Sequence, residues 1–229
     1  MSLERFIITY DNLILMEIRA VLIDFDGTIV NKDILDVVCG IVGKEEESRI
    51  INEEFHKGKR EGLGALIERI NFLKGVSTTQ IGSKLSDNDY LMSGVEEFFN
   101  FLNSKKIISI LTSGNLLPIL EYYQKRLGIT YVAGTKPKMK GDTIISISKK
   151  DFSGANFKLI DSKIILEKLG IKPENVIAIG DSPADEPLFK FAEKSIAINP
   201  KNGVEKYTDF KIEEDLSKAI DIIKRLETT

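Results

Sequence analysis

Two acidic residues, one position apart, directly follow a short apolar segment near the start of the chain. The segment Ala20–Ile23 is continuously apolar, and Asp24-Phe25-Asp26-Gly27-Thr28 comes next. A short apolar run bounded by polar residues is typical of a strand buried on both faces of a parallel sheet. Aspartate is among the residues least favoured in strands, so strand propensity does not explain the pair. Asp24 and Asp26 are therefore candidates for chemistry at a strand end.

Polar side chains and one glycine also lie next to later apolar segments of the chain. They are Ser113, Gly114, Lys158, Asp181 and Asp185. The carboxyl ends of parallel strands meet at one edge of a sheet, where α/β proteins bind ligands. If the acids converge there, their mutual repulsion demands a cation, and carboxylate oxygens suit Mg²⁺. The sequence offers no histidine cluster or cysteine pair that would favour zinc.

Attack by an ionised Asp24 on a phosphate dianion would need nearby positive charge. Each pair of like unit charges repels by about 4 kcal/mol at roughly 4 Å when the effective dielectric is near 20. The ammonium group of Lys158 could offset that repulsion. The Ser113 hydroxyl and backbone N–H groups at a helix start could donate hydrogen bonds to phosphoryl oxygens.

These residues would be positioned by alternating strands and helices. The apolar pattern predicts strands at 20–23, 107–111, 129–132, 176–179 and 195–198, and helices at 116–127, 159–169, 186–191 and 213–226. Strands that alternate with helices through short loops are typical of a doubly wound, Rossmann-like α/β core with a parallel sheet.

The region between the first two predicted strands has helical spacing instead, with breaks at Gly43, Gly58 and Gly75. It predicts a small helical cap domain at 33–93, inserted after the first core strand, so that residues 16–32 and 94–229 form the core domain. A second feature is the alternating segment at 143–147, which predicts a short β-hairpin flap within 134–157.

The first residues, 1–15, are interpreted as an N-terminal extension. Met1-Ser2-Leu3 resembles a cloning remnant, which makes part of the extension tag-derived on this interpretation, and Met16 would be a natural start directly before the first strand.

Composition excludes several classes of partner. With 42% hydrophobic and 29% charged residues, the chain resembles ordinary soluble folded proteins. Its formal net charge of −3 comes from interspersed acids and bases, so no broad positive field is available for nucleic acid. Cys39 is the only cysteine, which is compatible with a reducing cytoplasm. No apolar run approaches the roughly 18 residues of a membrane span. We predict a cytoplasmic protein that binds neither nucleic acid nor membrane.

The motifs together resemble those of the haloacid dehalogenase superfamily. Asp24-Phe25-Asp26-Gly27-Thr28 is similar to the first motif in its phosphatase version, Ser113 fits the second, and Lys158 fits the third. Gly180-Asp181-Ser182-Pro183-Ala184-Asp185 resembles the fourth, in which two acids stand four positions apart. The resemblance extends over nearly the whole chain from about Arg19. Lys163 is a rival for the lysine, but the spacing to the helix end at Leu169-Gly170 favours Lys158.

The resemblance implies a Mg²⁺-dependent phosphatase and assigns roles. Asp24 would be the nucleophile that forms an aspartyl-phosphate, and Asp26 would act as general acid and then as general base. Thr28, Ser113, Gly114 and Lys158 are the predicted phosphate-binding residues. The predicted metal ligands are Asp24, Asp26 through its backbone carbonyl, Asp181, and Asp185 directly or through water.

Within the superfamily the chain is most similar to phosphoserine phosphatases. Arg69 stands where that family has its substrate-carboxylate arginine, in Arg69-Ile70-Asn71-Phe72-Leu73-Lys74-Gly75. Asp33 stands where the family usually has a glutamate that meets the substrate ammonium group. Two departures weaken the substrate assignment: Gly62-Leu63-Gly64 replaces a typically apolar wall, and Ala184 replaces an asparagine.

Other functions stay open at this point. A phosphatase for another small ester, or a phosphotransferase with an acceptor other than water, would use the same residues. A phospho-accepting receiver domain also combines clustered acids, a hydroxyl and a lysine, but its usual length is near half of this chain. A catalytically silent binding module is disfavoured because every catalytic position is filled. We interpret His56 as a partly exposed structural residue and Cys39 as a core residue.

Overall fold

The computed structural model describes residues 16–147 and 157–228. Its strands are β1 (Ala20–Ile23), β2 (Ile108–Leu116), β3 (Tyr131–Thr135), β4 (Lys138–Lys140), β5 (Thr143–Ser146), β6 (Val176–Gly180), β7 (Lys194–Ile198) and β8 (Phe210–Ile212). Six of them form a parallel sheet in the order β3-β2-β1-β6-β7-β8. This is the order of doubly wound folds, so the predicted fold class is confirmed.

Helices cover both faces of this sheet and also form a separate insertion. They are α1 (Ile34–Cys39), α2 (Glu45–His56), α3 (Gly62–Asn71), α4 (Thr78–Ser86), α5 (Val95–Lys105), α6 (Leu117–Leu127), α7 (Phe157–Lys168), α8 (Glu186–Phe191) and α9 (Lys218–Thr228). We call α1 to α4, which lie between β1 and β2, the helical insertion. None of the helices in the described part of the chain has the length and apolar composition needed to cross a lipid bilayer.

The central strand β1 is buried on both faces, as its apolar run predicts. Val21 and Ile23 belong to the larger apolar cluster, which includes residues of α5, α6 and α9. Ala20 and Leu22 belong to the second cluster, which includes residues of α7 and α8. Alternate side chains of a strand point to opposite faces of the sheet. The four residues of β1 therefore pack against the helices on both faces, and this packing determines the position of the strand end.

The strands β4 and β5 form an antiparallel hairpin that contacts the helical insertion. The Gly75 N–H donates to the Ile144 carbonyl at 2.8 Å, and the Ile144 N–H donates to the Val76 carbonyl at 2.9 Å. The Thr78 N–H donates to the Asp142 carbonyl at 2.8 Å. The predicted hairpin is therefore present and is bonded to the loop before α4. The part of the predicted flap at 148–156, and the predicted extension at 1–15, lie outside the described residues.

Several element boundaries differ from the predictions. Strand β2 continues to Leu116 through an irregularity after Thr112, whereas the apolar run ends at Leu111. Helix α5 was not predicted, although its buried residues Val95, Phe98, Phe99 and Leu102 have helical spacing. The edge strand β8 has three residues, too few to give a clear alternation. Helix α9 begins at Lys218 because Asp215 accepts the Ser217 N–H at 2.8 Å and forms a turn before it.

Candidate active site

Polar groups converge at the carboxyl edge of the sheet, where the strand order reverses around β1. Strands β2 and β6 flank β1, so the ends of three parallel strands bring Asp24, Ser113 and Asp181 side by side. The Asp24 N–H donates to the Ile179 carbonyl at 2.9 Å, which continues the ladder between β1 and β6 as far as Asp24. Ligands of doubly wound folds bind at this kind of reversal.

Three buried carboxylates meet at this edge. One oxygen from each of Asp24, Asp181 and Asp185 lies within 4.8 Å of the others. Two glycines allow this approach: a Cβ on Gly27, whose φ is +83°, would lie 2.1 Å from Asp181 Oδ2, and a Cβ on Gly180 would lie 2.5 Å from Asp185 Cγ. Any side chain at either glycine would displace one of the acids.

Two lysines pair with these acids. The Lys158 ammonium lies 2.5 Å from Asp24 Oδ1 and 2.8 Å from Asp185 Oδ1. The Lys201 ammonium lies 2.6 Å from Asp181 Oδ2. Burial raises the pKa of Asp24, Asp185 raises it further, and Lys158 opposes both effects. Burial alone would lower the pKa of Lys158, but Asp185 and Asp24 raise it, so the lysine carries a fixed positive charge. Lys163 lies elsewhere, over the ring of Phe191.

The loop after β6 holds Asp185 in place. Asp185 is fully buried, and its Oδ2 accepts the N–H groups of Asp181 and Ser182 at 3.2 and 3.1 Å and the Ser182 hydroxyl at 3.3 Å. Because Oδ2 is saturated by these donors, Oδ1 is the oxygen turned towards Lys158. Asp185 thus both shapes the loop and contributes charge to the cluster.

The donor set of this cluster fits a hard divalent cation. Three carboxylates face two ammonium groups, which leaves an excess of negative charge, and every candidate ligand atom is an oxygen. Mg²⁺ prefers such ligands and keeps several waters, so one or two direct carboxylate contacts suffice. The Asp26 side chain lies outside this trio, and only its backbone carbonyl is predicted to contact the metal.

Asp26 connects the sheet edge to the helical insertion. Its Oδ1 accepts the N–H of Ile34, the first residue of α1, at 3.0 Å, and its Oδ2 accepts from Asn115 Nδ2 at 3.3 Å. Burial and the neighbouring Asp33 raise the pKa of Asp26 to about 7, against the lowering effect of these two donors. Asp26 can therefore hold or release a proton near neutral pH.

The residues predicted to bind phosphate differ in their placement. Ser113 and Gly114 line the cavity beside Asp24, and Ser113 Oγ accepts the Asn115 N–H at 3.1 Å. Thr28 is fully buried, and its hydroxyl has no partner among the described residues. Its N–H donates to the Phe25 carbonyl at 3.2 Å. Thr28 is not part of the cavity lining, so this geometry does not support a direct contact between Thr28 and a phosphate.

The insertion contributes a second cluster, built from Asp33, Asp36, Ser48 and Arg69. Asp33 caps α1 by accepting the Asp36 N–H at 3.1 Å. Arg69 is only 5% exposed, and its Nη2 donates to Asp33 Oδ1 and, at 2.9 Å, to Asp36 Oδ1. Its Nε donates to the Ser48 hydroxyl at 2.9 Å. The two predicted substrate contacts, Asp33 and Arg69, are thus directly bonded to each other.

One cavity of about 640 Å³ joins the two clusters. Its wall on the sheet side includes Asp24, Asp26, Ser113, Lys158 and Asp181, and its wall on the insertion side includes Asp33, Asn52, Phe55, His56, Leu66 and Arg69. Phe55 and Leu66 therefore give the cavity an apolar wall, although Gly62-Leu63-Gly64 forms the first turn of α3. His56 is exposed at the end of α2, on the cavity wall. Cys39 is fully buried, as predicted.

Four residues of the two clusters have no assigned role in the sequence analysis. Lys201 follows β7, so the strand-end argument applied to that strand would have identified it. Asn115 belongs to the segment after the apolar run of β2 but resembles a turn residue. Asp36 and Ser48 lie within helices α1 and α2, where single polar residues are common, and no local signal distinguishes them.

The fold and site can now be compared with known proteins. Residues 18–192 match a family described as haloacid dehalogenase-like hydrolase. A phosphoserine phosphatase of Methanocaldococcus jannaschii is 27% identical over 216 residues, which cover 90% of this chain and 98% of that protein. A phosphoserine phosphatase of Archaeoglobus fulgidus is 26% identical over 199 residues, and the match spans 87% of this chain but 58% of that longer protein.

A solved structure shows the same similarity in three dimensions. It is a phospho-aspartyl intermediate analogue of phosphoserine phosphatase, 25% identical, with a TM-score of 0.73 over 90% of this chain and 99% of that one. The match to the family covers most of the chain, including all four motif regions. The chain therefore belongs to the haloacid dehalogenase-like hydrolases and is a phosphatase-type enzyme of that family.

Proposed function

We propose that this enzyme hydrolyses O-phosphoserine in a Mg²⁺-dependent reaction that passes through an aspartyl-phosphate on Asp24. One observation carries the proposal. The acids and Lys158 at the sheet edge and the Arg69–Asp33 pair of the insertion line opposite walls of the same cavity. Phosphoserine carries a phosphate, a carboxylate and an ammonium group, for which these walls offer complementary charges.

On the sheet side, two displacements account for hydrolysis. The Asp24 carboxylate attacks phosphorus, the bond from phosphorus to the ester oxygen breaks, and Asp26 gives its proton to the departing oxygen. Asp26, now ionised, takes a proton from water as the water oxygen attacks the aspartyl-phosphate, which releases phosphate and restores Asp24. The pKa of Asp26, about 7, suits both roles. Lys158 and the Ser113 hydroxyl would stabilise the charge on the phosphoryl oxygens.

The cation belongs to the same proposal. Asp24, Asp181, the Asp26 carbonyl, and Asp185 directly or through water would hold Mg²⁺. When bound, Mg²⁺ would neutralise charge on the phosphoryl oxygens and on Asp24 as they approach each other. Support comes from the oxygen donor set and from the excess of acids over lysines in the cluster.

On the insertion side, the free donors match the rest of the substrate. Among the described residues, Arg69 uses Nε and Nη2 for Ser48, Asp33 and Asp36, and Nη1 has no partner, so Nη1 can bind a substrate carboxylate. The Asp33 side chain is 26% exposed at the cavity wall, where its carboxylate can meet an ammonium group. The relatives named as phosphoserine phosphatases support this choice of substrate.

The proposal includes the arrangement of domains. Residues 33–93 would act as a cap over a core of residues 16–32 and 94–229, closing on the substrate and excluding water. The contacts of Asp26 with Ile34 and of the hairpin with Gly75 and Thr78 join the two parts in the present arrangement. A cytoplasmic location is also part of the proposal.

The test is phosphate release from a panel of small esters, with and without Mg²⁺. O-phosphoserine should be hydrolysed most efficiently, and only with the metal. After acid quenching, the peptide that contains Asp24 should carry one phosphoryl group, and the same peptide of Asp24→Asn should not. Release from every ester except phosphoserine would overturn the substrate. A stable phosphoprotein without sustained release would indicate a switch domain, and transfer to added alcohols would indicate a phosphotransferase.

A further inference from the structure

Asp36 is the acid of the insertion cluster that does not reach the cavity. It is buried in the first turn of α1, and its Oδ1 accepts from Arg69 Nη2 at 2.9 Å and from the Ser48 hydroxyl at 2.5 Å. Ser48 is fully buried and accepts in turn from Arg69 Nε. The Nε and Nη2 atoms of the guanidinium are therefore held by two side chains that lie behind the cavity wall.

This arrangement leaves the cluster with an unbalanced charge. Two carboxylates, Asp33 and Asp36, share one guanidinium, so the cluster carries a formal net charge of −1 when both are ionised. Arg69 cannot offset both charges, and of the two acids Asp33 is the one that lines the cavity. Lys32 and His56 also line the cavity, but both are exposed, where solvent and salt screen their charges.

Holding Arg69 in place does not require a second acid. Asp33 alone would form an ion pair with it, and burying a further carboxylate costs free energy. Burial and the charge of Asp33 raise the pKa of Asp36, which reflects the free-energy cost of keeping this carboxylate ionised. A neutral acceptor such as asparagine could accept from Arg69 and Ser48 equally well. The charge of Asp36, rather than its hydrogen bonds, is the feature that needs a functional explanation.

We propose that Asp36 is a specificity-determining residue: its charge keeps Asp33 unneutralised and makes the enzyme prefer phosphate esters that carry an ammonium group. The inference rests on the proposed function, because it takes Asp33 and Arg69 as substrate contacts. Asp36 itself does not touch the substrate and acts through these two residues.

A trio of substrates separates the charge effect from simple positioning of Arg69. O-phosphoserine carries an ammonium and a carboxylate group, 3-phosphoglycerate replaces the ammonium with a hydroxyl, and phosphoethanolamine lacks the carboxylate. In Asp36→Asn, kcat/KM for the two ammonium substrates should fall about tenfold relative to 3-phosphoglycerate, mainly through KM. Asp36→Glu keeps the charge and should keep the preference.

Two further variants serve as controls. Ser48→Ala leaves every charge of the cluster in place, so the preference for ammonium substrates should persist. Asp209→Asn makes the same chemical change in a carboxylate that accepts the Ser195 hydroxyl at the edge of the sheet, and it should alter neither KM nor preference. Melting temperatures of all variants establish that they are folded. If Asp36→Asn does not fold, Asp36→Ser, which also removes the charge but keeps a hydroxyl acceptor, takes its place and should show the same loss of preference.

The outcomes separate this inference from the proposed function. Wild-type enzyme that hydrolyses phosphoserine, with an unchanged substrate ratio in Asp36→Asn, overturns the inference alone. So does a loss confined to the two carboxylate substrates, because Asp36 would then only orient Arg69. Failure of the wild type to hydrolyse phosphoserine overturns the proposed function and this inference together.

Discussion

The sheet-edge cluster and the insertion cluster share one electrostatic property and use it differently. At the sheet edge, Asp24, Asp181 and Asp185 face two lysines, and in the insertion Asp33 and Asp36 face Arg69. Each cluster has one more carboxylate than it has cationic side chains. In both places the excess negative charge faces the cavity, so each wall can attract a further cation.

The two clusters differ in how firmly their own cations are held. Lys201 bonds Asp181 with a side chain that is 59% exposed, so it can move away when another cation arrives. Arg69 has a planar group fixed by three partners and cannot leave without depriving the buried Asp36 and the partly buried Asp33 of their cation. The comparison indicates that Lys201 can give way to another cation at the sheet edge, as the proposed metal site requires. The insertion keeps Arg69 in place, as the proposed substrate contact requires.

The largest expected effect tests the sheet edge at Asp24. Asp24→Asn keeps the shape of the side chain but removes the nucleophile, so phosphoserine turnover should fall by about a thousandfold or more. Steady-state phosphate release measures this, with the melting temperature as a check on folding. Asp209→Asn is the matched control, because it makes the same substitution away from the cavity and should keep full activity. Substantial turnover by Asp24→Asn would show that another group attacks the phosphate.

Removing the metal should have the next largest effect. A chelator should abolish activity, and Mg²⁺ should restore it, because the acids repel the phosphate when uncompensated. Asp181→Asn should weaken Mg²⁺ binding by about ten- to a hundredfold. The rise in melting temperature with added Mg²⁺, measured without substrate, gives a readout that does not depend on turnover. Equal Mg²⁺ stabilisation of the wild type and of Asp181→Asn would place the cation elsewhere.

The comparison also shows which parts of the molecule were predictable. Residues of the sheet edge follow strands whose apolar runs are evident in the sequence, and the parallel sheet itself brings Asp24, Ser113 and Asp181 together. Asp33 and Arg69 were identified through their motif positions. Their partners Asp36 and Ser48 were not identified. They lie 33 and 21 positions before Arg69 in the sequence, and the packing of α1, α2 and α3 brings them into contact with it.

Local chemistry explains the remaining differences. Strand β2 continues past its apolar run to Leu116. At this end of the strand, Asn115 Oδ1 accepts the Leu116 N–H at 2.9 Å. Thr28 was predicted to bind phosphate, yet the turn after β1 buries it and directs its N–H to Phe25. The apolar spacing of α5 is present in the sequence, but it directly follows the longer helical region of the insertion, so periodicity alone does not mark α5 as a separate helix.

A smaller effect is expected from Arg69. Arg69→Ala should raise KM about ten- to a hundredfold for O-phosphoserine and 3-phosphoglycerate and much less for phosphoethanolamine, because only the first two carry a carboxylate. It should also destabilise the protein by about 3 kcal/mol, since the buried Asp36 and the partly buried Asp33 lose their partner. Combining it with Asp36→Asn should recover part of the stability but not the KM. An equal rise in KM for all three esters would contradict the carboxylate assignment.

The smallest expected effect links the two clusters through Asp26. Its pKa of about 7 predicts that kcat/KM for alkyl phosphates falls above neutral pH, because a deprotonated Asp26 cannot protonate the departing oxygen. Asp33 raises this pKa through its negative charge. Asp33→Asn should therefore favour ionised Asp26 and shift the falling limb to lower pH, by about half a unit.

The pH dependence is best measured with 3-phosphoglycerate, which lacks the ammonium group that Asp33 is proposed to bind. A parallel series with p-nitrophenyl phosphate supplies the control, because its leaving group departs without a proton and its profile should show no such limb. If the falling limb of the pH profile lies at the same pH in Asp33→Asn, the negative charge of the insertion cluster does not affect the pKa of Asp26. The two clusters would then act independently, one on the phosphate and the other on the rest of the substrate.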